Sequence, residues 1–315
     1  MMPEPNPRFF FANDLHVDIH TAKTGKPTTL TSLGVDLSLF DGFVLPGDII
    51  TNGYPQDALP LLQEINDTGK PTLMILGNHE YFEQVLAEAA VNWQAFLHRH
   101  QLHNVHLLDL RTQVGKTIAG IHFVGTTCWY SAGKNPIDGK RIDRHSVDHK
   151  WIIANPETGR HFNYKDSYAE HLMCLDAMSQ AISELRARHP EYPVVALIHH
   201  APSVKGLPLQ PANYSRNEMI RAKGFYSDLN QWMAVNQPEL VLHGHTHIVK
   251  QYRMGDTLVA SNALGYPPEA DDDAFEQRTT AEYSWDPAAS FHFEGKQPVI
   301  ELCKQPYHDE PEAIG

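Results

Sequence analysis

The chain has 315 residues, enough to bury a large core, and at 42% hydrophobic and 20% charged its composition is that of an ordinary globular enzyme. A formal net charge of −13 argues against an extended basic surface for nucleic-acid backbones and leaves room only for a local patch. No apolar run approaches the about eighteen residues of a membrane span and no leader pattern opens the chain; three scattered cysteines, Cys128, Cys174 and Cys303, point to a reducing compartment, so a cytoplasmic location is expected.

An aromatic strand is expected over 8–12, running into Asn13-Asp14-Leu15-His16. A second apolar run, 42–45, ends in Pro46-Gly47-Asp48, and a third, 72–76, ends in Gly77-Asn78-His79-Glu80. Between them 57–66 and 82–98 have helical spacing; in the latter Phe82, Leu86, Ala89, Trp93 and Phe96 share a face. A sheet segment follows over 117–124. Residues 129–165, with little periodicity, read as a long excursion over one rim, either a partial lid or a dimer surface. A helix over 168–188 feeds a strand, 194–198, that ends in His199-His200-Ala201-Pro202. After a helical stretch at 227–234, a short strand over 240–242 delivers Gly244-His245-Thr246-His247. Residues 248–253 and 257–261 form a hairpin. Residues 267–298, with an acidic run at Glu269–Asp273, read as an acidic surface excursion before a final strand, 299–302. No boundary or repeat interrupts the pattern, so a single domain over 1–315 is expected.

Each polar cluster taken alone is an unremarked turn; Asn78, for instance, is a good helix cap. Together they mean more, because each of the five follows a predicted strand and each holds a donor for a divalent ion. Strands alternating with helices build a parallel or mixed sheet, whose strand ends bring distant residues together. Asp, Asn and His supply oxygen and imidazole donors suited to first-row ions, and the cysteines lie outside every cluster.

Asp14-Leu15-His16, Gly47-Asp48, Gly77-Asn78-His79-Glu80, His199 and Gly244-His245-Thr246-His247, in this order over about 9–262, resemble the calcineurin-like metallophosphoesterase superfamily. The resemblance implies an α/β fold in which two mixed β-sheets are sandwiched between helices, a four-layer arrangement. It implies two divalent metal ions, manganese first in vitro, with iron, zinc or nickel as alternatives. Asp14, His16 and His247 would bind the first ion; Asn78, His199 and His245 the second; Asp48 would bridge them. His79 would stay off the metals, near the leaving-group oxygen, and His200 would sit behind His199. A hydroxide activated by the ion pair would then attack phosphorus in line.

The blocks VVALIHHAPS, FYSDLNQWM, VLHGHTH and SNALGYPPE further resemble bacterial cytosolic phosphohydrolases of undefined substrate, whose last block usually reads Asn-Pro-Arg-Gly-Tyr. Asn262, Gly265 and Tyr266 match, but Ala263-Leu264 replaces Pro-Arg and removes a phosphate anchor. Asn13 stands where Ser is usual, and Ile49-Ile50-Thr51-Asn52 lacks the Asp-x-x-Asp shape of the protein phosphatases.

The expected activity is hydrolysis of a small soluble phosphoester. A phosphodiester is preferred, since no arginine pair awaits a dianionic monoester. A phosphomonoesterase or nuclease is the alternative within the superfamily, and a non-catalytic metal-binding interaction scaffold the alternative outside it. No membrane partner is expected, and oligomeric state is open. Asp109 either orients a ligand or lies in a solvated turn. Lys134, Lys140, Arg141, Arg144, His145, His149 and Lys150 make a basic region that either draws in an anion or is a solvated loop. Trp129 and Tyr130 either stack on substrate or anchor the core. His98, Arg99 and His100 read as a charged helix end.

Overall fold

The computed structural model describes residues 6–131, 135–208, 211–267 and 285–303. Lys134 and the acidic run at Glu269–Asp273 lie outside them. Two six-stranded mixed sheets form the centre. In the first, β1 (Phe9–Phe11), β2 (Gly42–Pro46), β3 (Thr72–Ile75) and β4 (Val105–Leu107) are parallel, and the hairpin of β13 (Ser290–Glu294) and β14 (Gln297–Glu301) adds antiparallel strands at the β1 edge. The second runs β11 (Val249–Met254), β12 (Thr257–Asn262), β10 (Leu240–Leu242), β9 (Val194–Leu197), β6 (Ile121–Gly125) and β5 (Gly115–Ile118). Its three inner pairings, β12–β10, β10–β9 and β9–β6, are parallel.

Period-two alternation explains the layering. In β1, Phe9 and Phe11 point between the sheets, where they meet Phe123, Phe291 and the leucines of β9 and β10. Phe10 points the other way, toward Phe40, Phe43 and the helices α2 (Leu59–Asp67) and α3 (Ala89–Arg99). The outer face of the second sheet is covered by α6 (Tyr164–Arg188) and α8 (Asn230–Asn236) through Cys174, Met178, Ile182 and Met233. The result is helix, sheet, sheet, helix. The sheets are joined at one end by a parallel bridge from Asn13 to Ala263, and the Asn262 amide donates to the Phe11 carbonyl. Among the described residues no helix is long and apolar enough to cross a membrane.

Four segments depart from the periodicity reading. The helix expected over 82–98 begins only at Ala89. Before it, the amides of Glu83 and Leu86 bond to Trp151 and Ile153 of the rim segment, and Glu83 takes a φ of 59°. Phe82 and Leu86 are buried without being helical, so their spacing reports burial and not a helix. The segment 117–124 is a hairpin, β5 to β6, turning on Ala119 and Gly120 at φ 50° and 76°, the pair of positive values that a tight type I′ turn demands. Residues 129–165 hold α4 (Pro136–Ile142), α5 (Asp148–Trp151) and the small ribbon β7 (Ile153–Asn155) and β8 (Arg160–His161). The excursion expected over 267–298 ends early, because β13 pairs with β1 and carries Phe291 into the core. Two further helices, α1 (Val17–Thr24) and α7 (Arg216–Ala222), complete the set among the described residues.

Candidate metal centre

The loops that leave β1, β2, β3, β9 and β10 meet at one end of the two sheets. Their turns are tight. Asp14, His16, Asp48, His245 and His247 all have positive φ, between 41° and 69°, where an L side chain crowds its own backbone. Gly77 lets the Asp48 loop pass: a Cβ there would lie 2.0 Å from Asp48 Oδ1.

Two donor clusters result. Asp14, His16, Asp48 and His247 form one, and Asp48, His199 and His245 form the other; within each, donor atoms lie within 4.8 Å of one another. Asp48 belongs to both, which is the arrangement of a dinuclear site for divalent ions. Asn78 joins the second, its Oδ1 3.0 Å from His199 Nε2. His79 is in neither cluster. Its Nδ1 donates to the Thr51 carbonyl at 2.9 Å, and its Nε2 lies 3.1 Å from the Tyr266 hydroxyl.

The donors fit a cation. His199 Nδ1 donates to the Pro46 carbonyl at 3.0 Å, so Nε2 faces two acceptors, Asn78 Oδ1 at 3.0 Å and Asp48 Oδ2 at 3.1 Å. Asp48 Oδ2 is buried and accepts no well-aligned hydrogen bond. A neutral ring would place a third lone pair among these oxygens, and such a convergence in a buried space requires positive charge. Without a metal, a proton meets the need. Burial opposes the charge on His199, but the Asp48 carboxylate outweighs it and raises the pKa to about 9. Burial likewise opposes the Asp48 charge, and His199 with His79 hold that carboxyl well below the usual carboxylate range. At the other cluster His16 Nε2 and His247 Nε2 lie 3.2 Å apart, and burial followed by His247 and His79 pushes the His16 pKa down. Neutral imidazoles beside carboxylates are the donor set of manganese, iron, zinc or nickel.

Around these donors the structure places residues that periodicity did not single out. Glu80 accepts from the amides of Asp48, Ile49, Ile50 and Gly77 at 2.6–3.2 Å. Burial and the Asp48 charge push its pKa up to about 8. Four N–H donors are nonetheless satisfied together only by the carboxylate form. Asp148 Oδ1 accepts from Asn78 Nδ2 at 2.8 Å and so turns the amide oxygen of Asn78 toward His199. Thr51 Oγ1 lies 3.0 Å from His16 Nδ1. Asn13 donates to Asp14 and accepts from the Asn262 amide, so it holds the first loop to β12. His200 is buried and packs against His245 with ring centroids 4.3 Å apart.

The open alternatives divide. Asp109 is buried, not solvated, and its hydrogen bonds go to Tyr81 and the Arg111 amide instead of a candidate ligand. Trp129 and Tyr130 are buried and anchor the core. His98 and Arg99 form the last turn of α3. Among the described residues of the basic region, only His145 reaches the cavity over the donors. That cavity, about 440 Å³, also has Ile142, Val147, Arg221, Phe225 and Tyr266 in its walls.

The family model described as calcineurin-like phosphoesterase matches residues 7–249. An uncharacterized protein of Acanthamoeba polyphaga mimivirus is 24% identical over 273 residues, which cover 82% of this chain and 91% of the viral protein. Among solved structures, the phosphopantetheinyl hydrolase PptH of Mycobacterium tuberculosis superposes with a TM-score of 0.55 at 14% identity, over 97% of this chain and 99% of that one. A Thermus thermophilus protein gives a TM-score of 0.46 at 13% identity, over 95% of this chain and 100% of its own. The likeness to PptH, at 14% identity, speaks to the fold alone. The family match spans most of the chain and all five metal-donor loops, and the protein belongs to the calcineurin-like phosphoesterase family.

Proposed function

We propose that the protein hydrolyses a phosphodiester bond in a small molecule, in the cytoplasm, with two divalent ions and manganese as the first ion to load in vitro. The observation that carries this reading is the pair of donor clusters sharing Asp48 at the floor of a 440 Å³ cavity. Asp14, His16 and His247 would hold one ion, Asn78, His199 and His245 the other, and Asp48 both. When bound, the ions supply Lewis acidity toward the phosphoryl oxygens and make a nucleophilic water available near neutral pH.

The chain's own residues do the rest. His79, anchored through Nδ1 on Thr51, presents Nε2 to the cavity as the proton donor for the departing oxygen. The Tyr266 hydroxyl donates to Nε2 of the neutral ring and accepts from the protonated one. Glu80 keeps the Asp48 loop in its left-handed conformation, and Asp148 fixes the Asn78 amide. A diester is favoured over a monoester because, among the described residues, Arg221 is the one arginine in the cavity wall, while Ile142, Val147 and Phe225 offer an apolar seat for a second ester arm.

The test is hydrolysis of bis-p-nitrophenyl phosphate by chelated protein reloaded with manganese, beside Asp48→Asn. Manganese-dependent turnover is expected, falling roughly a hundredfold or more in the variant, since several kcal/mol of charge stabilisation depend on the ions. Equal turnover in the variant would defeat the two-metal reading, and clearly faster turnover of p-nitrophenyl phosphate would overturn the diester preference.

A further inference from the structure

The cavity has two unlike sides. Its floor is the donor set, Asp48, Asn78, His245 and His247, with His79 and Tyr266 beside it. The opposite wall comes from two segments distant in sequence, 142–148 after α4 and 221–225 at the end of α7. These segments pack together: a Cβ on Gly224 would lie 3.3 Å from Ile142, and the Lys223 ammonium binds Asp138 at 2.6 Å. Phe225 closes the wall against the floor, with its ring centroid 4.8 Å from that of His245.

The charges of this wall do not cancel. Each of its carboxylates is already engaged. Asp138 takes Lys223, Asp143 lies 2.7 Å from His149 Nδ1 and accepts the Tyr164 amide, and Asp148 accepts from Asn78 and Ser146. Among the described residues no ion pair engages Arg221 or His145, which line the cavity, and Lys140, Arg141, Arg144 and Lys150 are exposed in the same rim segment. In a chain of net charge −13, the wall facing the metal donors is therefore locally cationic. A guanidinium in a partly enclosed cavity is a directional anion receptor.

We propose that this wall is a subsite for a second phosphate group, carried on the leaving arm of the substrate and bound by Arg221 with His145, while the apolar part of that arm lies on Ile142, Val147 and Phe225. The inference rests on the phosphodiesterase reading above and specifies its substrate class: a diester whose alcohol arm itself ends in a phosphate. Recognition is spatially separate from the chemistry, so the site would discriminate by the far end of the leaving group.

Titration calorimetry of manganese-loaded wild type and Arg221→Gln with thymidine 5′-phosphate and thymidine 3′,5′-bisphosphate tests it. The readout is the ratio of the two affinities. In the wild type the bisphosphate should bind about tenfold more tightly or better, the worth of one charge-assisted contact, and in the variant the ratio should fall toward one. A wild-type ratio near one overturns the subsite. So does a ratio unchanged in the variant, including the case where both ligands weaken in parallel, because Arg221 would then hold the phosphate at the metals. These are binding readouts and decide the point even if the wild type fails to hydrolyse bis-p-nitrophenyl phosphate, a failure that would count against the phosphodiesterase reading instead.

Discussion

Five candidate donors sit in left-handed backbone, a conformation that costs a non-glycine residue on the order of 1–3 kcal/mol and survives only where the surroundings over-determine it. At Asp48 one side chain supplies much of the over-determination, since Glu80 gathers the amides of Asp48, Ile49, Ile50 and Gly77, and the amides of Asp14, His16 and Val17 add backbone bonds to the carbonyls of Gly47, Asp48 and Ile49. In Glu80→Gln one carboxylate oxygen becomes an NH₂ group that faces N–H donors. A loss of roughly 3 kcal/mol in unfolding free energy is expected, because buried donors are left unpaired. Manganese content should drop below that of the wild type, as the Asp48 loop relaxes. Urea unfolding and elemental analysis check the two halves; a variant that keeps both stability and metal would show that Glu80 does not hold the loop.

At the scale of elements, the rim segment is coupled to the donors through one short helix. Asp148 opens α5, and the segment around it takes the backbone bonds of 83–86 and reaches Asn78. Partners that orient a ligand in this way change metal affinity by about 10–100-fold when removed. Asp148→Ala should therefore weaken binding of one manganese ion about tenfold or more and leave the other nearly unaffected. Asp148→Asn should restore much of the loss, because its amide oxygen still accepts from Asn78 Nδ2. Stepwise metal titration resolves the two ions, and equal binding in all three proteins would remove Asp148 from the centre. The basic wall above it behaves as an element too, since α4 and the end of α7 are held together by Asp138 and Lys223.

For the whole molecule, acid stability follows from histidines held neutral by burial. His106, on β4, has its pKa lowered from 6.5 to about 4 by burial and then by Lys116. Between those values the unfolded chain binds a proton that the folded chain refuses, so stability rises with pH across the window. The contribution is full above about 6.5 and is lost as pH falls toward about 4. Metal-free protein should show a lower urea midpoint at about pH 5 than at about pH 7.5, and His106→Gln should shrink that difference. An undiminished difference would assign the acid sensitivity to other groups. His122 and His171, both lowered by burial, act in the same direction.

What the sequence by itself determined is local and directional. Alternation in Phe9–Phe11, the apolar runs of β2, β3, β9 and β10, and the polar residues that follow them are written in neighbouring positions, because a strand has two faces and an end. The five polar clusters were legible for that reason, while the choice of Asp14, His16, Asp48, Asn78, His199, His245 and His247 within them came from the family resemblance; the structure brings these seven together at one end of the two sheets. Tertiary structure decided which buried stretches became helix, as at 82–88, where another segment supplied the backbone partners. It also decided that β13 would join β1 across most of the chain. The supporting contacts of Glu80 and Asp148 belong to the same class. Asp148 lies 70 positions from Asn78, and no local pattern encodes such a pair, because hydrogen bonds and charge compensation depend on where packing brings the chain back to itself.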